Sequence, residues 1–225
     1  MYCKPEHVLL IPDGNRRYAK KFNLDLNDAY VCGASKITDT ISWILDIGDS
    51  KQLTVYGLAY ENIAHRNSEE LDPIVDAWSN EFIRWSRLPL VHDLKINITI
   101  RGECDTLSTK FQRAKNMVES ATRGYNNKNL VILIGYSGRR EILSLFSKSF
   151  DGFVDEKAIL RNMTVNNPID LVIRTSNTLR LSDCPLFQIS YAEFIFIEKY
   201  FPELNRDDIL SIYDRFNTIE RNFGS

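Results

Sequence analysis

The chain has 225 residues, 44% of them hydrophobic and 26% charged, which is enough for one globular domain with a full core. Lys and Arg number 28 against 30 Asp and Glu, a net charge of −2, so the broad basic footprint of a nucleic-acid binder is absent. No apolar run is long enough to cross a bilayer, and the N-terminus has no secretory apolar core.

Taken in order, the elements alternate. Residues 8–11 read as a buried strand that opens into Asp13-Gly14-Asn15-Arg16-Arg17. The arginines stand at a helix start, where anions are favoured. A helical stripe follows, Tyr30, Ala34, Ile37, Ile41, Ile44 and Leu45, with Asn27 or Asp28 as its predicted N-cap. Residues 53–58 form the next strand and lead into Tyr60-Glu61-Asn62. The helix predicted over 68–87 carries Trp78, Phe82 and Trp85, a stripe that suits either a core or the lining of an apolar tunnel. Residues 96–101 are a strand, 107–124 a helix, 126–129 a turn and 130–134 a strand. Tyr136-Ser137-Gly138-Arg139-Arg140-Glu141 then opens a helix over 139–150. Residues 169–173 form a strand that runs into Arg174–Ser182, residues 194–197 a sixth strand, and 207–220 a last helix.

This alternation predicts an α/β domain over residues 1–225, with a central, mostly parallel six-stranded sheet flanked by helices. Right-handed crossovers bring the strand C-termini to one edge. Asp13, Tyr60-Glu61-Asn62, Gly102-Glu103, Tyr136 to Arg139 and Arg174 then share that edge, where open α/β sheets bind ligands. Two arginine-bearing strand ends suit two small anionic groups held side by side.

Each candidate also has an ordinary explanation. Asp13 beside Gly14 suits a Mg²⁺ carboxylate, or an Asp-Gly turn with solvated arginines. Arg174, Arg180 and Ser182 suit a phosphate fork, or a loop paired with surface acids. Glu193 is an anchored carboxylate or a salt-bridge partner. Cys3, Cys32, Cys104 and Cys184 lack metal or redox spacing, so reduced thiols in a cytoplasmic protein are expected. His7, His65 and His92 are too scattered for a metal site.

Together these segments resemble the cis-prenyltransferase family, typified by undecaprenyl diphosphate synthases. The likeness runs from His7 to Gly224. It rests on the run His7 to Lys20, on Glu61-Asn62 with Arg66, on Gly135-Tyr136-Ser137-Gly138-Arg139, and on Ile173 to Ser182 with Gln188 and Tyr191-Ala192-Glu193. The resemblance implies a hydrophobic tunnel, a homodimer, Mg²⁺, and condensation of an allylic diphosphate with isopentenyl diphosphate. It assigns catalysis to Asp13, Asn15, Asn62 and Arg66. It assigns the allylic diphosphate to Gly14, Asn15, Arg16, Arg17 and Tyr30, isopentenyl diphosphate to Arg174, Arg180 and Ser182, and metal to Asp13 and Glu193. No nucleic acid is implied, and contact with a membrane surface is expected only for a long product.

The chain also departs from the family. Leu26 and Tyr30 stand where elongating members carry an arginine and a histidine. Ala59 replaces a serine, Ile63 a tryptophan, and an extra residue precedes Arg66. The family's C-terminal arginine aligns with Asn222, beside Arg221. Leucine and tyrosine also occur in an atypical branch that includes cyclolavandulyl diphosphate synthase. The preferred expectation is therefore a short-chain or irregular prenyl diphosphate product. Ordinary chain elongation, a non-catalytic partner subunit and a terpene cyclase acting on one substrate are the competing expectations.

Overall fold

The computed structural model describes residues 4–148 and 154–220. Six strands form one sheet: β1 (His7–Ile11), β2 (Gln52–Ala59), β3 (Ile96–Arg101), β4 (Lys128–Tyr136), β5 (Leu171–Arg174) and β6 (Glu193–Phe196). The spatial order is β3-β4-β2-β1-β5-β6, and every neighbouring pair is parallel. The sheet is thus wholly parallel rather than mostly so. β1 is buried along its whole length, as a central strand covered on both faces must be. That accounts for its unbroken apolar run.

Nine α-helices are formed among the described residues: α1 (Asn15–Phe22), α2 (Leu26–Ile41), α3 (Tyr60–His65), α4 (Ser68–Trp85), α5 (Pro89–Asp93), α6 (Thr109–Ala121), α7 (Gly138–Leu145), α8 (Glu156–Arg161) and α9 (Arg206–Asn217). The N-cap of α2 is Asp25, whose side chain accepts from the Asn27 N–H, and neither Asn27 nor Asp28. The break before it is local chemistry. Asn23 adopts the left-handed conformation at φ 51° and ends α1, a role asparagine tolerates well. Beyond Ile41 the helix loosens into a π-helical segment, Ser42–Ile47. The turn predicted over 126–129 is shorter than expected, because Lys128 and Asn129 already pair with β3. Short helices α3, α5 and α8 have too few residues to show a periodic stripe.

The two sheet faces are covered unequally. One face, with Val8, Leu10, Leu53, Val55, Ile98, Ile132 and Ile173, packs under α2, α4, α6 and α9 in the main core. The other, with Leu9, Ile11, Tyr56, Leu133 and Val172, forms a smaller core with Val165, Ile169, Cys184 and Ile189. All strand C-termini reach one edge, as right-handed parallel crossovers require.

The opposite edge is tied by His7. Its Nδ1 donates to the Pro168 carbonyl at 2.8 Å, and its Nε2 accepts from Thr54 Oγ1 at 2.8 Å. Burial lowers its pKa from 6.5 to about 4, with the Pro168 hydrogen bond opposing the shift. The folded state therefore favours the neutral ring. Its contribution is complete above pH 6.5 and is lost as pH falls toward 4. Stability should fall over that window by up to about 3 kcal/mol. Chemical denaturation at pH 7, 6, 5 and 4.5 (about 0.5–1 unit apart) measures it, and His7→Asn should flatten the profile. A wild-type profile as flat as that of the variant would contradict this assignment.

Candidate active site

The two basic segments meet because β1 and β5 are neighbours, with Ile11 in register with Arg174. Arg174 Nη2 donates to Asp13 Oδ2 at 2.9 Å, and Arg17 Nη2 lies 3.2 Å from Asp13 Oδ1. The carboxylate is thus clasped by one arginine from each segment. The Asp13 main-chain carbonyl accepts from Thr175 Oγ1 at 2.7 Å and from the Phe201 N–H at 3.1 Å. Burial would push the Asp13 carboxyl up. The Arg174 hydrogen bond and charge, with the charge of Arg17, outweigh it and hold the pKa below the usual carboxylate value.

Close backbone approach makes this clasp possible. Gly14 has φ 110°, and a Cβ there would meet Ser176 Oγ and Tyr200 Cδ1 at 2.9 Å. Arg17 donates from Nη1 to the Ser176 carbonyl at 3.2 Å and from Nη2 to Thr178 Oγ1 at 3.0 Å. Arg174 is only 3% exposed. Its Nη1 donates to Ser182 Oγ at 2.9 Å and to the Arg180 carbonyl, and Arg180 Nε reaches Ser182 Oγ at 3.3 Å. Arg174 is therefore the keystone of the cluster, while exposed Arg180 faces a ligand more openly.

A cavity of about 1100 Å³ opens at this edge. Its mouth carries Arg16, Arg17, Lys20, Arg66, Arg139, Arg174 and Arg180, and its interior Ala34, Ile37, Leu58, Ile74, Ala77, Trp78 and Phe201. A cationic mouth over an apolar arm suits an amphiphile with an anionic head and a hydrocarbon tail. Asn15, Tyr30, Asn62 and Ser182 also line it. Tyr30 is buried, and its hydroxyl, which faces the Arg66 guanidinium, makes no full hydrogen bond among the described residues. Burial pushes its pKa up against the charges of Arg66 and Arg16. Glu70 joins those two arginines, 3.6 Å from Arg16 and 4.0 Å from Arg66. The extra residue before Arg66 has therefore not removed it from the cavity. Leu26 packs on the main core, so this departure deletes a polar contact without adding one.

A family model of undecaprenyl diphosphate synthase matches residues 11–224. The chain belongs to the undecaprenyl diphosphate synthase family. This prenyltransferase is 35% identical to the geranylgeranyl-diphosphate-specific tritrans,polycis-undecaprenyl-diphosphate synthase of Pyrobaculum aerophilum, over 98% of this chain and 96% of that one. It is 33% identical to the enzyme of the same description from Thermococcus kodakarensis, over 98% of this chain and 87% of that one. Its fold matches the crystal structure of lavandulyl diphosphate synthase from Lavandula x intermedia in complex with dimethylallyl diphosphate. The TM-score there is 0.90 at 24% identity, covering 99% of both chains.

Twelve residues are assigned to the site from the sequence: Asp13, Gly14, Asn15, Arg16, Arg17, Tyr30, Asn62, Arg66, Arg174, Arg180, Ser182 and Glu193. All of them except Glu193 line the cavity. Glu193 opens β6 opposite Leu171, whereas Arg174 pairs with Phe196. Three strand positions, about 10 Å, separate it from the cavity edge. A metal site of Asp13 and Glu193 within one chain is thus not formed, and among the described residues no group of three or more acidic, His or Cys side chains could hold a metal. Arg221 and Asn222 lie outside the described residues.

Sequence reasoning missed Asp183. Its carboxylate accepts from Ser137 Oγ and, at 3.0 Å, from the Arg139 N–H, and its carbonyl accepts from the Gly138 N–H at 2.9 Å. It ties the loop holding Ser182 to the start of α7. The available signal was an acid directly after Ser182 in a basic segment.

Arg174→Gln should raise the Asp13 pKa, because burial then acts with less opposition. Carboxyl-carbon NMR titration of both proteins measures this, and an unchanged or lower value would refute the clasp as the cause.

Proposed function

We propose that this prenyltransferase condenses C5 isoprenyl diphosphates, dimethylallyl and/or isopentenyl diphosphate, to a short-chain or irregular prenyl diphosphate. The observation that carries this is the end of the apolar arm. Trp78 lies across Gly57, where a Cβ would meet its Cζ2 at 2.7 Å. Behind it Phe82, Trp85 and Phe111 are fully buried and pack tilted or edge-on at ring separations of 5.6–5.7 Å. The cavity of about 1100 Å³ must also take two diphosphates. A tail of a few C5 units fits the remainder better than an undecaprenyl chain.

The reaction breaks the allylic C–O bond, whose electron pair leaves on diphosphate. The alkene of the second substrate supplies the new C–C bond, and one proton is lost. Negative charge therefore develops at the leaving diphosphate. Arg17 and the free N–H groups of the first turn of α1 suit that site. Arg180 and Ser182, set by Arg174, suit the diphosphate that stays. Arg66 and Asn62 line the third side of the cavity, and apolar walls keep water from the cationic carbon.

Mg²⁺ fits the donor set. Asp13 is one hard carboxylate at the cavity, and Mg²⁺ takes one or two carboxylates and fills its shell with phosphate oxygens and water. When bound, it would neutralise charge on the leaving diphosphate. Leu143 and Phe146, at the end of α7, are 65% and 84% exposed, which supports a homodimer that covers them. Among the described residues no helix is long and apolar enough to cross a membrane.

A second reading is favoured by the geranylgeranyl-diphosphate-specific relatives: elongation from a longer allylic primer. Incubation with Mg²⁺ and dimethylallyl, isopentenyl or geranylgeranyl diphosphate, alone and in pairs, followed by mass spectrometry of dephosphorylated products, separates the two. Short products from C5 substrates, abolished by Asp13→Ala, are expected. Long polyprenols made only from the C20 primer would replace the first reading with the second. Asp183→Ala should raise KM for isopentenyl diphosphate about tenfold, the worth of one charge-assisted hydrogen bond. Asp183→Asn should restore most of it, and equal losses for both diphosphates would point to general misfolding instead.

A further inference from the structure

Gly33 stands in the middle of α2, a helix of 16 residues. Glycine is a poor residue there, because it leaves the chain freer in the unfolded state than alanine does. The usual justification is absent, since Gly33 is not among the residues with positive φ and its backbone is ordinary helix. What the position lacks is room. A Cβ at Gly33 would lie 2.4 Å from Asn15 Oδ1, 3.0 Å from its Cγ and 3.3 Å from its Nδ2. The whole Asn15 carboxamide is thus laid against the bare Cα of Gly33.

That carboxamide lines the cavity, and its Oδ1 is buried without a hydrogen-bond partner among the described residues. Asn15 is also the first residue of α1, directly after the Gly14 turn. One turn before Gly33 on α2, Tyr30 presents a second oxygen of the cavity wall that makes no full hydrogen bond among the described residues. The fold has therefore kept a helix-weakening residue at a place where a methyl group would displace a polar side chain of the site. A buried acceptor without a partner costs free energy, so this pose is not explained by stability.

We propose that Gly33 is a positioning residue: its missing side chain is the recess that takes Oδ1 and so holds the Asn15 carboxamide in the pose from which Nδ2 donates to the bound diphosphate substrate. This rests on the prenyl-transfer reading of the cavity. The substitution acts through Asn15 and leaves the arginine clasp in place.

The test is a double-mutant cycle of Gly33→Ala and Asn15→Ala, with unfolding free energy and steady-state turnover measured for all four proteins. Gly33→Ala should lower kcat at least tenfold while the KM for each diphosphate changes less than threefold. In the Asn15→Ala background, which removes the carboxamide, Gly33→Ala should cause no further loss of kcat and should raise the melting temperature by about 2 °C. Wild-type kcat in Gly33→Ala, or losses that multiply in the double variant, would overturn the proposal and leave the prenyl-transfer reading standing. Should Gly33→Ala alone fail to fold, the double variant must fold, and its failure would overturn the proposal as well. If wild type turns over no diphosphate pair, the prenyl-transfer reading falls. The stability cycle then decides the recess: coupling between the two sites supports it, and additivity refutes it.

Discussion

The ion-pair clasp on Asp13 organises the rest of the site. One carboxylate is shared by Arg17 from the first strand's turn and Arg174 from the fifth strand's end. Neither arginine would be tolerated so close to the other without it, and Arg174 could hardly be so deeply buried. Ser182, Arg180 and Thr175 all take their places from these two residues or from the Asp13 backbone. In the free protein the carboxylate occupies the arginines that an anionic ligand has to win.

Much of this was legible in the sequence because it depends on strand order along the chain. Apolar runs followed by charged turns marked five of the strand ends, and parallel crossovers left one edge for Asp13, Asn62 and Arg174 to share. Glu193 is a different case, because within one chain it does not line the cavity. Its place before an apolar strand is visible, but in a parallel sheet that is the N-terminal edge, away from the cavity. Asp25 was passed over as a cap because Asn27 and Asp28 are equally good capping residues, and only the backbone decides among them. Asp183, Glu70 and the Asn15–Gly33 contact depend on side chains from separate elements, and local patterns carry no record of such meetings.

The cavity divides its work between two kinds of residue. Apart from the buried Arg174, the long cations at the mouth are partly solvated and adjust to a ligand, while the interior walls are small or rigid: Ala34, Ala77, Gly57 and Trp78. Head-group recognition is therefore tolerant of motion, and tail recognition is a matter of fixed volume. The substitutions at Leu26 and Tyr30 fall at the boundary between these regions.

The sheet order also has a bearing on how the protein is made. β1 lies between β2 and β5, yet β5 begins only at Leu171. A nascent chain can pair one side of β1 after some sixty residues, but the other side stays an open, fully apolar edge until most of the polypeptide has left the ribosome. Such an edge invites pairing with the wrong chain. Asp13 has no Arg174 during that interval, so the site and the closure of the sheet's most vulnerable edge arise in a single late event.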